Sequence, residues 1–337
     1  MHVYAGLGVS DLKGAPGQAR RAEALGFDGV SFGELAHDPF LLCALALEHT
    51  TRLRAGTSVA IGFPRSPMVV AATAWDLQRM SGGRFELGLG TQVKGHNERR
   101  FSVPWSPPAP RILEYIQSLK AIWECWQHGT PLDYRGRHYA FTLMTPEFNP
   151  GPIDVPPPPV YIAAVGPAMC RAAGEVADGI VMHSFSTRRY TEEVVLPMLA
   201  QGAQRAGRAA GDLMVTGGGM IATGATEAAV HAARENARKR IAFYGSTRTY
   251  KAVLDAHEWG ETCLRLHDLS LKGQWSDMPK LIDDTMLDTF CVSGPYDSIG
   301  PRLRERFGAY AQRIGLGLPE DPGHDDRLGA LLEELHG

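Results

Sequence analysis

Three short stretches carry residue types that could do acid–base or binding chemistry. Phe32-Gly33-Glu34-Leu35-Ala36-His37-Asp38 sets a carboxylate close to an imidazole, and Lys94-Gly95-His96-Asn97-Glu98-Arg99-Arg100 gathers basic side chains, a histidine and a carboxylate in one loop. A histidine titrates near neutral pH and a partly buried glutamate can be raised towards it, so His37, Glu34 and Glu98 are the candidates to give or take a proton. The third stretch, Ala163-Ala164-Val165-Gly166-Pro167 before a helical run from Ala168, offers small residues and free amides at a helix start, which suits an anion. Each has a plainer reading too: a core histidine, a helix-capping glutamate, a solvated charged loop, a βα turn with Pro167 at the first helical position. His183, followed by Ser184 and Phe185, is a further pocket candidate. His, Asp and Glu nowhere take a metal-ligand spacing such as His-Glu-x-x-His, so no metal is expected. A serine hydrolase is not expected either.

These residues need a frame. Short apolar or β-branched runs bounded by glycine, proline and polar turns predict strands at 2–9, 28–33, 53–61, 84–90, 160–164, 178–183, 213–222 and 288–293. Helical patterns fall between them at 15–26, 39–49, 67–81, 108–128, 168–177, 189–207, 226–256 and 295–310. Strand–helix units repeated in this way make an α/β chain, a (β/α)8 TIM barrel whose active residues lie at the C-terminal strand ends, with a doubly wound sheet as the lesser reading. The single domain spans 1–337. Its excursion at 129–159 reads as a lid or rim, and that at 243–287, with Tyr244, Arg248 and Trp275, as a pocket wall. The tail beyond Gly317, ending in an amphipathic run from Leu328 to Leu335, is assigned to packing or subunit contact.

The stretch Ser81-Gly82-Gly83-Arg84-Phe85-Glu86-Leu87-Gly88-Leu89-Gly90-Thr91 joins a glycine helix stop to a glycine-tipped strand, where a ligand could approach bare backbone. The third strand, Gly56-Thr57-Ser58-Val59-Ala60-Ile61-Gly62-Phe63-Pro64, runs past its expected end and predicts a bulge.

Composition narrows the partners. Of 337 residues, 44% are hydrophobic and 21% charged, an ordinary globular balance. With 34 basic against 37 acidic residues the net charge is −3, and no long basic run invites nucleic acid or an anionic membrane. A small-molecule substrate is the expected partner. The cysteines, Cys43, Cys125, Cys170, Cys263 and Cys291, are scattered without a Cys-x-x-Cys pair, which fits a reducing cytoplasm.

Four motifs in order, Ala22-Glu23-Ala24-Leu25-Gly26-Phe27-Asp28-Gly29-Val30, Thr51-Arg52-Leu53-Arg54-Ala55-Gly56-Thr57-Ser58-Val59, Ser81-Gly82-Gly83-Arg84-Phe85 and Ala173-Gly174-Glu175-Val176-Ala177-Asp178-Gly179, give a chain that resembles the bacterial luciferase-like family. The resemblance runs from about residue 3 to residue 310. It implies a barrel that binds flavin mononucleotide or the deazaflavin coenzyme F420 over its C-terminal strand ends, and within the family the chain is most similar to the deazaflavin-dependent oxidoreductases. The implied activity is hydride transfer between F420 and a small organic substrate holding a C=C, a C=O or an alcohol. An FMN-dependent monooxygenase is the alternative, and a non-catalytic cofactor-binding barrel the second.

Residue by residue, the resemblance implies a cis peptide at Ser58-Val59 that props the cofactor ring, with Ile61, Gly90, Thr91, Asn97 and His183 also at the cofactor. It implies that Ala163, Ala164, Val165 and Gly166 seat the phosphate or its neighbouring hydroxyls, and that the 94–100 loop suits the anionic tail. Many relatives place a histidine directly after the acid of the second loop. Here Leu35 follows Glu34, so either His37 takes the role or the reaction needs no histidine there. Deazaflavin-dependent sugar-phosphate dehydrogenases carry a glutamate after Gly-Thr-Gly where this chain has Val93, which argues against a sugar phosphate. Family members pair as homodimers, which is the expectation here.

Overall fold

The computed structural model describes residues 1–7 and 11–337. Parallel strands form its central sheet: β1 (His2–Gly6), β2 (Gly29–Phe32), β3 (Arg54–Thr57), β4 (Phe85–Gly90), β5 (Val160–Ala164), β6 (Gly179–Met182), β7 (Met214–Val215) and β8 (Arg313–Gly317). The register passes from His2 opposite Arg313 round to Met214 opposite Gly179, and a bridge between Thr216 and Arg313 closes the ring. This is the expected (β/α)8 barrel.

Local chemistry sets the helix ends. Helices Pro39–Glu48, Pro67–Met80, Pro108–His128 and Pro167–Val176 all carry proline in their first turn, where its missing N–H is no loss. Asp38 and Ser66 cap the first two by accepting from the Phe40 and Met68 amides. Gly82 and Gly83, with φ of 65° and 90°, turn the chain out of Pro67–Met80, so the stop read at Ser81-Gly82-Gly83 is there. Arg84 then donates to the Leu47, Thr50, Leu53 and Ser81 carbonyls, fastening two helix ends to β4.

Two barrel strands differ from the expectation. The stretch 213–222 divides: Met214–Val215 stays in the barrel, while Met220–Gly224 pairs with Cys291–Pro295 in a separate parallel ribbon. The run at 288–293 is therefore not the eighth barrel strand, which is Arg313–Gly317, a stretch to which the sequence reading assigned no strand. The first strand, read as 2–9, is His2–Gly6, and Gly8 and Val9 lie outside the described residues. The helix read at 226–256 ends at Gly245 and gives way to Lys251–Asp255 and Gly260–Leu271.

The excursion at 129–159 is an αβ connection. Its hairpin, Tyr134–Arg135 with Ala140–Phe141, leans on helix Pro108–His128 through Arg111 and Glu114. Its return is tied to helix Pro67–Met80 by Trp75, Gln78 and Arg79, which donate to carbonyls between Pro150 and Pro156. The terminal helix Asp325–His336 buries Leu328, Leu331, Leu332 and Leu335 beside helices Ala15–Leu25 and Tyr296–Phe307. All five cysteines are buried free thiols.

Candidate active site

The strand ends of β3, β4, β5 and β6 build one rim. Beyond Thr57 the chain passes through the cis Ser58–Val59 peptide and pairs again with β4, Ala60 opposite Leu89 and Ile61 opposite Gly90. The third strand is thus interrupted as the sequence reading of a bulge requires. Thr57 locks the break: its hydroxyl donates to the Gly88 carbonyl at 2.6 Å and accepts from the Gly88 amide at 2.9 Å. A Cβ at Gly88 would sit 2.1 Å from the Thr57 oxygen, and one at Gly90 2.6 Å from a Val59 methyl. At both glycines the space a side chain would need is taken by the neighbouring strand, so the absence of a Cβ serves close strand packing here.

Round the rim from Ile61 come Gly90, then Ala163 and Ala164 opposite Val181 and Met182, then His183. Val165 is pinned by the Tyr190 hydroxyl, 3.1 Å from its carbonyl. Gly166 is the N-cap of helix Pro167–Val176 and supplies no side-chain cap, and a Cβ built on it meets nothing within 4 Å. A helix start left uncapped beside open space is what an anionic group fits.

Glu34 and His37 lie in the loop after β2. Glu34 is fully engaged: Oε2 accepts from the Ile61 amide at 2.7 Å, and Arg65 Nη1 donates to both carboxylate oxygens at 3.0 and 2.7 Å. Arg65 also reaches Asp38 at 2.8 Å. Glu34 therefore fixes the rim. His37, in the same loop as Glu34 and Asp38, is half-buried.

After β4, Thr91 is half-buried and Gln92 adopts a left-handed φ of 56°, a strained geometry for a non-glycine residue that concentrates at functional loops. Asn97, buried, donates to the Thr91 carbonyl at 2.9 Å and so fastens this loop from within. Glu98 is exposed, 3.9 Å from Lys94 one turn away. The strand ends thus carry Ser58, Val59, Ile61, Gly90, Ala163, Ala164 and His183 to one rim, while the stretch read from sequence as a loop is helix Lys94–Arg99, which leaves Glu98 exposed on its outer side.

His183 packs edge-on against Tyr244 at 4.6 Å and lies tilted by 37° against Tyr250 at 5.0 Å. Burial, helped by the charge of Arg240, lowers its pKa to about 4, so the ring is neutral at pH 7. Its Nδ1 accepts the Phe185 amide at 2.9 Å, which leaves the proton on Nε2 as a donor.

Two cavities that share lining residues lie within and beside the barrel, and of the seven rim residues named above Ser58 alone lines either of them. The larger, about 570 Å³, lies between β8, the end of β6 and helix Glu227–Gly245, within the usual size of a ligand pocket. Ala233, Asn236, Ala237 and Arg240 line it from one helix face, at a 3–4 spacing within the run read from sequence as helix 226–256. The smaller, about 170 Å³, lies inside the barrel under Ser58. Among the described residues, none from 129–159 or 243–287 lines either cavity, so the lid and wall assigned to those segments are not found there; the wall is helix Glu227–Gly245. Tyr244 instead backs His183, while Arg248 and Trp275 are exposed. Ser31 belongs to Gly29-Val30-Ser31-Phe32-Gly33, a Gly-x-Ser-x-Gly pattern, yet it sits inside β2 and not on a strand-to-helix elbow, so it carries no hydrolase reading. Among the described residues no His, Cys, Asp and Glu group could hold a metal, and no helix is long and apolar enough to cross a membrane.

A family model described as luciferase-like monooxygenase matches residues 2–313. The chain belongs to the luciferase-like monooxygenase family. One relative, an uncharacterised protein of Mycobacterium tuberculosis, is 48% identical over 305 residues, 90% of each chain. Another, the 5,10-methylenetetrahydromethanopterin reductase of Archaeoglobus fulgidus, is 28% identical over 302 residues, covering 88% of this chain and 85% of the reductase. In fold, the chain is similar to the coenzyme F420-dependent tetrahydromethanopterin reductase of Methanopyrus kandleri, with a TM-score of 0.77 and 21% identity over 99% of this chain and 98% of the other. Luciferase-like membership together with a reductase among the relatives supports an oxidoreductase.

Proposed function

We propose that the protein transfers a hydride between coenzyme F420 and a small organic substrate at the mouth of the barrel. One observation carries the reading: a chain similar to a reductase over 88% of its length places small and apolar rim residues beside an uncapped helix start at Gly166. The residues fit a deazaflavin. Ile61, Gly90 and Ala163 would lie along the ring, the Gly166 loop would take the phosphate, and Arg240 and the 94–100 loop would meet negative charge.

The bound deazaflavin supplies two electrons as a hydride on its C5 carbon. The protein holds the acceptor carbon near the rim and manages one proton. Glu34 is unsuited to that proton because its carboxylate is already shared between Arg65 and the Ile61 amide. His37, in the same loop after β2, is the donor or acceptor on this reading, and the neutral His183 offers an N–H that could polarise a carbonyl without losing its proton. Glu98, exposed on helix Lys94–Arg99, serves the cofactor's tail region more readily than the reacting carbon. We read the protein as acting on a small molecule, as a homodimer in the cytoplasm.

The family description itself favours one second reading, a flavin-dependent monooxygenase. Titrating the purified chain with F420 and with FMN, each followed by its own absorbance, separates the two. Saturable F420 binding with hydride exchange supports the first. Tighter FMN binding with oxygen consumption overturns it, and tight F420 binding without exchange over a broad substrate panel leaves a non-catalytic barrel.

A further inference from the structure

We propose that the interior of the barrel, under the mouth, is a binding site for a singly charged carboxylate, built on Arg313 and Tyr161. Three observations meet at the 170 Å³ cavity, which is lined by Tyr4, Ser58, Glu86, Tyr161 and Arg313 among others.

Charge is the first. Glu86 is buried and is the carboxylate shared by two guanidiniums: Arg54 Nε reaches Oε1 at 2.8 Å and Arg313 Nη2 reaches Oε2 at 2.6 Å. The Tyr4 hydroxyl donates to Oε1 as well, at 3.1 Å. One negative group against two positive ones leaves the cluster with one positive charge in excess, part of it solvated because the Arg54 side chain is 40% exposed.

The second is an unused donor. Arg313 is 8% exposed, and its Nε is buried with no hydrogen-bond partner. The Tyr4 and Tyr161 rings lie 3.8 and 5.3 Å from the guanidinium carbon. They hold the guanidinium by their faces and supply no acceptor for Nε. Burial pushes the Tyr161 pKa up to about 12, so its phenol is a hydrogen-bond donor and not an anion. A carboxylate, planar and singly charged, matches both the free Nε and the surplus charge.

Access is the third. Ser31, Met182, Gly217, Ile314 and Gly315 line both cavities, so the interior space continues into the 570 Å³ pocket at the mouth. A room of this size exceeds that of one bridging water, the smallest occupant that could satisfy Nε. The carboxylate can be a free small acid or the end of a longer molecule whose other end reaches the mouth. The site does not depend on which cofactor the protein uses.

The test is calorimetric titration of the full chain, without cofactor, with sodium formate, acetate, propionate, butyrate and benzoate at an ionic strength fixed with a bulky sulfonate. One saturable site is expected, weakened at least tenfold in Arg313→Lys, which keeps the charge but lacks the second N–H, and several-fold in Tyr161→Phe. Affinity that rises along the series identifies a carboxylate carried by a longer molecule, and affinity greatest for formate or acetate identifies a free small acid; both support the site. Tyr161→Phe keeps the ring and stands as the readout if Arg313→Lys does not fold. No saturable binding, or affinity unchanged in the folded variants, would overturn the proposal and leave the cavity to water.

Discussion

Glu34 accepts the Ile61 amide proton at 2.7 Å, so the loop after the second strand holds the third strand just beyond its break. The same carboxylate is gripped by Arg65, and the pair is largely shielded, with side-chain exposures of 10% and 20%. Glu34→Gln keeps the shape and one acceptor for Ile61 but removes the charge, and is expected to lower stability by about 1–3 kcal/mol. If Glu34 positions and does not transfer a proton, thermal denaturation will show that loss while residual turnover keeps the wild-type pH profile. An unchanged melting temperature with abolished turnover would return Glu34 to the chemistry.

Gly88→Ala pushes a methyl into the Thr57 carbonyl, a contact of 2.1 Å between neighbouring barrel strands that only a backbone shift can relieve. The expected penalty is at least ~1–3 kcal/mol, read by denaturant unfolding. Gly90→Ala meets the Val59 methyl instead, a side chain that can yield a little, and is expected to cost less.

Gly166→Ala separates fold from ligand. Its φ of −80° suits any residue, and the added Cβ finds open space, so stability is expected to stay within about 0.5 kcal/mol. F420 affinity is expected to fall, because the methyl occupies the approach to the uncapped amides. Unchanged affinity would move the phosphate elsewhere.

His183 should leave a mark on the pH dependence of stability. Its pKa is lowered from 6.5 to about 4 in the folded chain, so the unfolded chain takes up the proton first on acidification. Its contribution is whole above about pH 6.5 and is lost as pH falls through about 4. In His183→Gln the melting temperature should fall less steeply across this window, a difference on the order of 2 kcal/mol at its acid end. Parallel curves for the two proteins would refute it.

Much of the barrel was legible before its coordinates. Periodicity and glycine stops place the first six strands and the helices between them because those elements are local: Gly82 and Gly83 end a helix by their own φ angles. The seventh and eighth strands were misplaced for a physical reason. Cys291–Pro295 and Met220–Gly224 are partly buried and look like barrel strands, but they bury themselves against one another. Arg313-Ile314-Gly315-Leu316-Gly317 opens with a cation and carries two glycines, a pattern ruled by the interior cavity it lines. The site was legible in part. The Ser58–Val59 geometry followed from family resemblance, whereas the engagement of Glu34 depends on Ile61 and Arg65, which no local pattern connects to it.

The ring closes where Thr216 bridges to Arg313, and the seventh strand beside it is just Met214–Val215. A hoop fastened by so short an overlap has a seam, and amide exchange should be faster along Val215–Gly217 than along the opposite wall at Leu87–Leu89. Whatever settles against Arg313 would then act as a clasp on that seam.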